Sequence, residues 1–450
     1  ANMRFSNFLY LDLATRNDWS SALPADNRSQ LSYAGSLSAV LSDAFEMDAE
    51  GGISLLQLRL SYAQTGSDPD PYQLQTVFFA QTPVRGIPTF SESPVLANPN
   101  LQPEMTTSIE GGVDVRFFQN RFGLDFTYFI TNTDNQILSI PLSNSTGYTS
   151  RIINAGSVES TGMEAVLNVT PVETSNFRWN FGINFTKFES KVTSLYQDTL
   201  SGGNAGNYVI ADRGITLEAR PGERVGNMYG TGYQRVSSDP DSPYYDASGQ
   251  FVGQIVYDSA GKPIPTSESV LIGNYNPDWL AGISNTFSFK GLSVNFLLDM
   301  RVGGTIYSRT KALGFAQGVL EETLLGRADG YDLSMEGNGI TGVGVVQTDA
   351  GSFEPNTTQV SAREWYNAYT LERPIDEALT YDASFVKLRE LRLSYNIPNV
   401  WLGKLRIRNA MVSVVGRNLW LLTDASPHFD PEVASLAGGM ITQIGRASCR

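Results

Sequence analysis

Cysteine and histidine are almost absent from this sequence. Its 450 residues include one of each, Cys449 and His428. A single cysteine cannot form a disulfide within the chain, and the two residues cannot assemble a His/Cys zinc site. The sequence therefore excludes a soluble secreted protein that relies on disulfides, and it predicts no metal ion and no cofactor.

Basic residues and long hydrophobic runs are scarce as well. Lys and Arg number 32 against 46 Asp and Glu, which gives a formal net charge of −14. A nucleic-acid-binding surface needs clustered Lys and Arg to neutralise phosphates, so no nucleic-acid partner is expected. No run approaches the ~20 apolar residues of a membrane-spanning helix. Membrane-spanning strands stay open as a class, because their period-two pattern is weak in hydropathy averages.

What the sequence does contain is alternation of apolar with polar residues. Tyr and Phe are frequent (20 and 23), as is Gly (42), while charged residues make up 17% against ~25% in soluble domains. Trp179, Phe181, Ile183 and Phe185 alternate with polar or small residues, and Leu292–Val302 repeats the pattern. Successive side chains of a strand point to opposite faces, so these segments predict strands with one apolar and one polar face.

A soluble β-sandwich would show the same alternation, but two features favour a membrane barrel. Several alternating segments are as long as a tilted membrane strand requires, whereas soluble strands average about 5–6 residues. Short connections alternate with long ones, as periplasmic turns and extracellular loops do in outer-membrane barrels. The predicted fold class is all-β, a partial antiparallel transmembrane β-barrel, with a bulge near Asn409. We predict about eleven strands, near residues 3–16, 31–42, 53–65, 106–118, 121–135, 157–170, 177–191, 279–289, 292–303, 384–397 and 405–418.

The long connection at about 193–276 contains a small internal repeat. The sequence YDASG at 245–249 recurs as YDSAG at 257–261. Asp and Gly at these spacings suit tight turns. The alternative is a calcium loop built on Asp239, Asp241 and Asp246, although the spacing and closing Glu of an EF-hand are missing.

Five groups of residues resemble one family, the SusC/RagA-type TonB-dependent transporters of bacterial outer membranes. Each motif is short, and the resemblance depends on all five occurring in the same order along the chain as in the family. The motifs are NPNLQPE at 98–104, NAGSVESTGME at 154–164, IGNYNPDW at 272–279 with DMRVGG at 299–304, DASFVKLREL at 382–391, and GRNL at 416–419 with DPE at 430–432.

The resemblance implies TonB-dependent import of nutrients, either glycans and oligosaccharides or peptides, across the bacterial outer membrane. A SusD-like lipoprotein would cover the loops, TonB would act through an N-terminal region, and outer-membrane lipid would surround the barrel. Residues 1–444 would then be the C-terminal part of the barrel without its plug domain. Residues 445–450 would be a non-native tail.

Within that barrel, five polar strand residues are expected to face the lumen, where they line the path or bond to the plug and each other. They are Arg59, Glu164, Asn184, Asp299 and Arg301. Substrate contacts are expected from loop aromatics, because sugar rings and peptides pack against aromatic faces; packing within the loops is the alternative reading. The aromatic candidates are Tyr244, Tyr245, Trp365, Tyr366 and Tyr369.

Two other function classes compete with import. An enzyme would have only carboxylates to work with, and adjacent pairs such as Asp376-Glu377 point to opposite faces of a strand. No catalytic residue is therefore predicted. The second class is a passive porin or a structural outer-membrane barrel, which the presence of a plug and a TonB-contacting segment would distinguish from a transporter.

Overall fold

The computed structural model describes most of the chain. The residues outside the description are 48–51, 143, 196–207, 213–214, 329–331, 335–336, 369, 371–373, 399–406, 426–429, 434, 437–440 and 443–450. Tyr369 and the predicted tail at 445–450 therefore lie outside the described residues.

A sheet of twelve strands dominates the described residues, and each strand pairs antiparallel with the next one in chain order. The all-β fold class is confirmed. The strands are Asn2–Phe5, Leu9–Trp19, Ser29–Val40, Ile53–Ser67, Glu104–Phe117, Phe122–Asp134, Ser157–Glu173, Phe177–Ser194, Trp279–Phe289, Leu292–Val302, Phe385–Asn396 and Met411–Asp424.

Because neighbouring strands are antiparallel, successive connections fall on opposite ends of the sheet. One end carries tight turns. Lys290 and Gly291, for example, both have positive φ (45° and 88°), the geometry whose twist fits a two-residue hairpin. The other end carries the four longest connections between strands of the sheet, as predicted, whereas the connections 41–52 and 397–410 lie at the end with the tight turns. In outer-membrane barrels the end with the long connections is the extracellular end. These connections are 68–103, 135–156, 195–278 and 303–384.

The prediction of one strand near 3–16 is wrong. A turn at Ser6, whose φ is 54°, separates Asn2–Phe5 from Leu9–Trp19, and these two strands pair with each other. Arg4 stabilises the turn by donating hydrogen bonds to the Ser6 carbonyl oxygen (3.0 Å) and the Asn7 side chain (2.6 Å). The turn adds one strand to the predicted number.

The predicted bulge near Asn409 is also wrong. Residues 407–410 precede the last strand, which covers Met411–Asp424 and not 405–418. The pairing of the last two strands is irregular at two places, between Val386 and Lys387 and between Leu388 and Glu390. The second place lies opposite Asn418, which has a left-handed φ of 49°. Asn tolerates this conformation better than most residues, so the bulge falls there.

The pairing register gives the sheet an apolar face. Ile183 pairs with Ile283, which pairs with Leu298, and Trp179 stacks on Phe287 with ring centres 5.6 Å apart. Exposed apolar surface of this kind requires a cover, which lipid supplies in a membrane barrel. Further exposed residues of the apolar face are Leu58, Leu60, Ile109, Leu393 and Val414.

The long connections, together with the residues after the last strand of the large sheet, carry many further strands, most of them short. They form small sheets of two to four strands beyond the end of the large sheet. These strands are Phe78–Val84, Ile87–Glu92, Val95–Leu96, Ile137–Pro141, Ser150–Asn154, Tyr208–Asp212, Thr216–Ala219, Asn227–Tyr233, Val256–Tyr257, Pro265–Asn274, Thr305–Tyr307, Ile340–Thr341, Val345–Gln347, Phe353–Pro355, Gln359–Val360, Thr380–Asp382, Ser435–Leu436 and Ile441–Thr442.

Helices are few and short. Ser308 and Ser361 cap two of them by accepting hydrogen bonds from backbone N–H groups of the first turn. Among the described residues, no helix is both long and apolar enough to cross a membrane. The α-helices are Leu41–Ala44, Arg309–Gln317 and Ala362–Asn367, and 3₁₀ turns occur at Asn144–Thr146, Glu321–Leu324, Asp376–Leu379 and Pro431–Val433.

The connections 208–278 and 303–384 fold together and are called the loop domain below. Val256–Tyr257 of the first connection runs parallel to Val345–Gln347 of the second. A buried apolar cluster also combines side chains from both connections, so the loop domain has a core of its own. The buried members are Ile215, Leu217, Met228, Tyr307, Phe315, Ala362, Tyr366, Ile375 and Leu379.

Candidate functional site

The five residues predicted to face the lumen share one face of the sheet. Directly paired residues project to the same side. The pairing places Arg59, Glu164 and Arg301 in one row across the strands, through Gly112, Thr127, Thr186 and Leu280. Asn184 and Asp299 each lie two residues from a member of that row, so they project to the same side. This side, opposite Ile183, is called the polar face below.

Charged residues of the polar face are paired with each other. Arg59 donates two hydrogen bonds to the Asp125 carboxylate, at 3.0 and 2.5 Å. Arg116 binds the buried Asp114 carboxylate at 2.9 Å. These two ion pairs lie toward the end of the sheet that carries the tight turns.

A second group of charges lies toward the other end of the sheet. The Lys387 ammonium binds the Asp430 carboxylate at 2.5 and 2.7 Å, and it also contacts the Glu432 carboxylate. Arg389 bridges Asp299 and Glu432. The Lys387 side chain is only 5% exposed. These five residues are called the ion-pair cluster below.

The electrostatics of the ion-pair cluster favour ionised carboxylates. Hydrogen bonds from Arg389, together with Lys387, lower the pKa of Glu432 to about 2. Arg389 also donates to the Asn418 side-chain oxygen at 2.9 Å. The Asn418 bulge therefore positions the guanidinium that joins the tenth and eleventh strands to residue 432.

Arg301 has a different role at the same end of the sheet. Its guanidinium donates to the Tyr275 carbonyl oxygen at 2.5 Å and to the Gly303 carbonyl oxygen at 3.4 Å. Gly303 and Gly304 have φ of 77° and 90°, and a Cβ on Gly304 would meet the Arg301 guanidinium at 2.6 Å. Glycine is required there, because the backbone turns tightly against a charged side chain.

A cavity of about 510 Å³ lies between the polar face and residues that follow the last strand. Its size is within the range of small-molecule pockets. Three of the predicted lumen residues, Asn184, Asp299 and Arg301, line it. The other lining residues are Thr186, Leu280, Ala281, Ile306, Phe385, Pro431 and Glu432.

A separate contact joins two other motifs of the sequence. Asn154 accepts a hydrogen bond from the Gln102 backbone N–H and donates one to the Gln102 carbonyl oxygen, both at 2.8 Å. Leu101 beside it is fully buried. The NPNLQPE and NAGSVE motifs therefore fasten the starts of two strands to each other, which is an architectural role.

The described aromatic candidates differ in exposure. Tyr245 is 37% exposed, whereas Tyr366 is 6% exposed and belongs to the loop-domain core. Trp365 stacks on Tyr257 with ring centres 6.0 Å apart. Tyr244 packs against the smaller buried cluster around Val236. Tyr245 is thus the candidate with most of its ring surface available, and Tyr366 packs within the loops.

Adjacent carboxylates dock the two connections of the loop domain. Asp376 accepts a hydrogen bond from the Thr231 backbone N–H at 2.9 Å. Glu377 accepts one from the Tyr233 N–H at 3.0 Å and pairs with Arg235 at 2.7 Å. Burial raises the pKa of Asp376. Burial also acts to raise the pKa of Glu377, but its bonds to Arg235 and Tyr233 outweigh this effect and lower it.

The repeated Asp-Gly segments are turns. Asp246 accepts hydrogen bonds from the Ser248 and Phe251 backbone N–H groups, both at 2.9 Å, and Asp258 binds Ala260 and Lys262 similarly. In the described part of the chain, no three His, Cys, Asp or Glu side chains are grouped to hold a metal ion. Local bonding of Asp246 and Asp258 to backbone N–H groups therefore accounts for both turns of the repeat.

Four residues of the ion-pair cluster were not predicted as site residues: Lys387, Arg389, Asp430 and Glu432. All four lie in the motifs at 382–391 and 430–432. Those motifs did contain a signal for the ion pairs. Basic residues alternate on one strand and acidic residues follow the next strand, an arrangement that allows pairing between them.

These features define a class of protein. A meandering antiparallel sheet with an exposed apolar face, a charge-paired polar face and long connections at one end is the wall of a transmembrane β-barrel. A family model described as "TonB dependent receptor-like, beta-barrel" matches residues 1–296. The chain belongs to this family, and it is an outer-membrane protein. The predicted resemblance and location are confirmed.

Individual relatives agree with this family. The chain is 26% identical over 440 residues to TonB-dependent receptor P3 of Formosa agariphila, covering 96% of this chain and 41% of that protein. It is 24% identical over 264 residues to TonB-dependent receptor SusC of Bacteroides thetaiotaomicron, covering 57% of this chain and 26% of SusC. The chain thus spans less than half the length of these relatives.

A solved structure has the same fold. The structure of the RagAB peptide importer in its "closed-closed" state superimposes with a TM-score of 0.74 at 22% identity, covering 98% of this chain and 45% of that one. The likeness extends over the loop domain as well as the sheet, because nearly the whole chain is covered.

Proposed function

We propose that this chain forms the C-terminal part of a barrel that imports nutrients across the outer membrane in a TonB-dependent cycle. The observation that supports this most directly is the register that places Arg59, Glu164, Asn184, Asp299 and Arg301 on one polar face. A lipid-facing sheet needs no such face unless it encloses water, a plug or a solute. The family contains transporters and receptors, and no enzymatic role is proposed.

The cargo is proposed to be a glycan, an oligosaccharide or a peptide. Tyr245 is the leading contact residue, because its ring is partly exposed in the loop domain and aromatic faces bind both sugar rings and peptide side chains. The polar face would then carry the cargo inward. The Asn184, Asp299 and Arg301 side chains around the cavity offer the donors and acceptors that either class of cargo needs.

Two partners are part of the proposal. A SusD-like lipoprotein would cover the loop domain from outside, and TonB would act from the periplasm through an N-terminal region. The similarity to SusC and to the RagAB importer supports both. The folded loop domain supports the first, since a rigid surface suits docking better than mobile loops do.

The test is uptake by cells that carry or lack the gene. Fluorescent oligosaccharides and peptides are offered separately, with and without a protonophore that collapses the inner-membrane gradient. Energised import predicts that the gene raises uptake of one cargo class and that the protonophore abolishes the gain. Uptake that persists without the gradient would instead support the alternative, a passive porin.

The contribution of Tyr245 is tested in the same cells. Tyr245→Ala should weaken cargo binding by several-fold, since one aromatic contact contributes about 0.5–1.5 kcal/mol. The matched control is Tyr72→Ala, because Tyr72 is 83% exposed but lies in another connection. Equal loss in both variants would refute a specific role for Tyr245.

A further inference from the structure

The segment Asp430–Glu432, called the strap below, folds back from beyond the last strand onto the polar face. Pro431 is buried, and Pro431 and Glu432 line the 510 Å³ cavity opposite Asn184 and Thr186. The strap therefore covers part of a cavity whose other walls belong to the eighth to eleventh strands and to Ile306 of the loop domain.

Charges attach the strap to the sheet, while the chain beyond it is fixed to the loop domain, where Thr442 pairs with Tyr307. Lys387 and Arg389 of the sheet bind the two carboxylates of the strap, and the Glu432 N–H donates to Asp430 at 3.0 Å within the strap. In the described part of the chain, none of the apolar clusters includes a strap residue. The loop domain, by contrast, is held together by such a cluster. On leaving the sheet the strap would therefore lose these ion pairs and the packing of Pro431, but no part of a larger apolar core.

The charges on the sheet side favour the closed position. With the strap in place the Lys387 side chain is 5% exposed, and departure of the strap would separate its ammonium from both carboxylates, which is unfavourable. Arg389 would keep Asp299. A molecule that offers oxygen atoms to Lys387, or water entering the cavity, would reduce this cost. The ion pairs therefore favour the closed position, and water or a competitor for the same ammonium would favour opening.

We propose that the strap is a charge-held latch that closes the cavity on the polar face and opens as a unit. This inference concerns how the proposed import path is gated, and it rests on that function only for its biological purpose. Opening shifts a two-state equilibrium, so its size depends on how strongly the cluster favours the closed state.

The test is the reactivity of a cysteine inside the cavity. Thr186→Cys is introduced with Cys449→Ser, which removes the single cysteine of the sequence, and intact cells are treated with a membrane-impermeant maleimide. Asp430→Asn combined with Glu432→Gln removes both strap charges and leaves the sheet unchanged. We expect this strap variant to label about tenfold faster, the equivalent of about 1.4 kcal/mol. Lys387→Met should act in the same direction.

Two controls separate a latch from general loosening. Arg417→Gln removes a charge pair with Glu390 at 3.4 Å whose arginine is 73% exposed, and it should leave the labelling rate unchanged. A second reporter, Asn168→Cys on the polar face, should label equally in all variants. If Lys387→Met does not reach the membrane, the strap variant decides alone.

Unchanged labelling of Thr186→Cys in a well-inserted strap variant would overturn the latch. Equal acceleration at Asn168→Cys would overturn it too, since that result means the whole sheet has loosened. Labelling reports strap position whether or not cargo is imported. A protein that shows the latch but fails the uptake test would therefore contradict only the proposed function.

Discussion

The large sheet and the loop domain differ in where they place apolar side chains: the sheet exposes most of them, whereas the loop domain buries them. In the described part of the chain, the twelve strands contribute only Val192, Ala281, Phe385 and Leu388 to the buried apolar residues. Most of the others lie in the loop domain. The sheet thus exposes its apolar face and depends on lipid to cover it, whereas the loop domain buries its own core in water.

The two regions also treat charge differently. On the polar face, charged side chains pair with one another across strands, as Arg59 does with Asp125. In the loop domain, the carboxylates of Asp376 and Glu377 accept hydrogen bonds from backbone N–H groups of another connection. The ion pairs of the sheet balance positive and negative charge along its polar face. The hydrogen bonds of the loop domain fix how two chain segments dock.

The largest expected effect concerns the loop-domain core. Leu217 is 2% exposed and belongs to its buried cluster. Leu217→Ala should destabilise the loop domain by about 2–5 kcal/mol, the usual cost of a cavity in a packed core. The measurement is the temperature at which an external protease cuts the loops of intact cells.

The matched control for this substitution is Leu325→Ala, because Leu325 lies in the same domain but is 66% exposed. It should change the cleavage temperature little. Similar effects of the two substitutions would mean that the loop domain has no packed core in the membrane-bound protein, and the contrast with the sheet would fail.

A smaller effect is expected from a charge on the apolar face of the sheet. Ile183→Arg places a guanidinium in lipid near the middle of a strand and should cost about 2–4 kcal/mol. Asn184→Arg is the matched control, because Asn184 is the next residue along the strand and its side chain projects to the polar face. The measurement is equilibrium unfolding from lipid vesicles. A greater cost at Asn184 would reverse the assignment of the two faces.

The strands were predictable because their signal is local. Alternation in 177–191 and 292–303 depends on neighbouring residues, and the structure places strands at Phe177–Ser194 and Leu292–Val302. The missed hairpin at Ser6 shows the limit of this reasoning. Alternation continues through a turn when the strands on both sides keep the same period, so only the backbone conformation reveals the break.

The loop domain and the ion-pair cluster were not predictable in the same way. Val256–Tyr257 pairs with Val345–Gln347 across a long stretch of chain, and strands of this length carry no periodic signal. The cluster draws on residues between 299 and 432. The motifs of the sequence contain the residues of the cluster. The choice of ion-pair partners, however, depends on the strand register and on the bulge at Asn418, which are properties of the tertiary structure.

The smallest expected effect is a difference in pH dependence between two adjacent carboxylates of the loop domain, Asp376 and Glu377. Glu377 has a lowered pKa, so its stabilising effect is present above its ordinary value of 4.5 and is lost as the pH falls. Asp376 has a raised pKa, so protonation favours the folded state and its contribution is lost as the pH rises through the raised value. The same connection therefore contains two groups with opposite pH dependence.

Substitution of each carboxylate by its amide tests this difference. Glu377→Gln should destabilise the loop domain at pH 7 by about 1 kcal/mol, because its partner Arg235 is partly exposed and the ion pair is screened. Asp376→Asn keeps an acceptor for the Thr231 N–H and removes a buried charge, so it should leave stability unchanged or raise it.

Glu354→Gln, at an exposed carboxylate of the same domain, is the control. Protease protection measured from pH 4 to 8 should show a weaker loss at low pH for Glu377→Gln and a weaker loss at high pH for Asp376→Asn. If both amides destabilise the domain equally at pH 7, the two carboxylates act alike, and the docking of the connections depends on net charge and not on the backbone contacts described above.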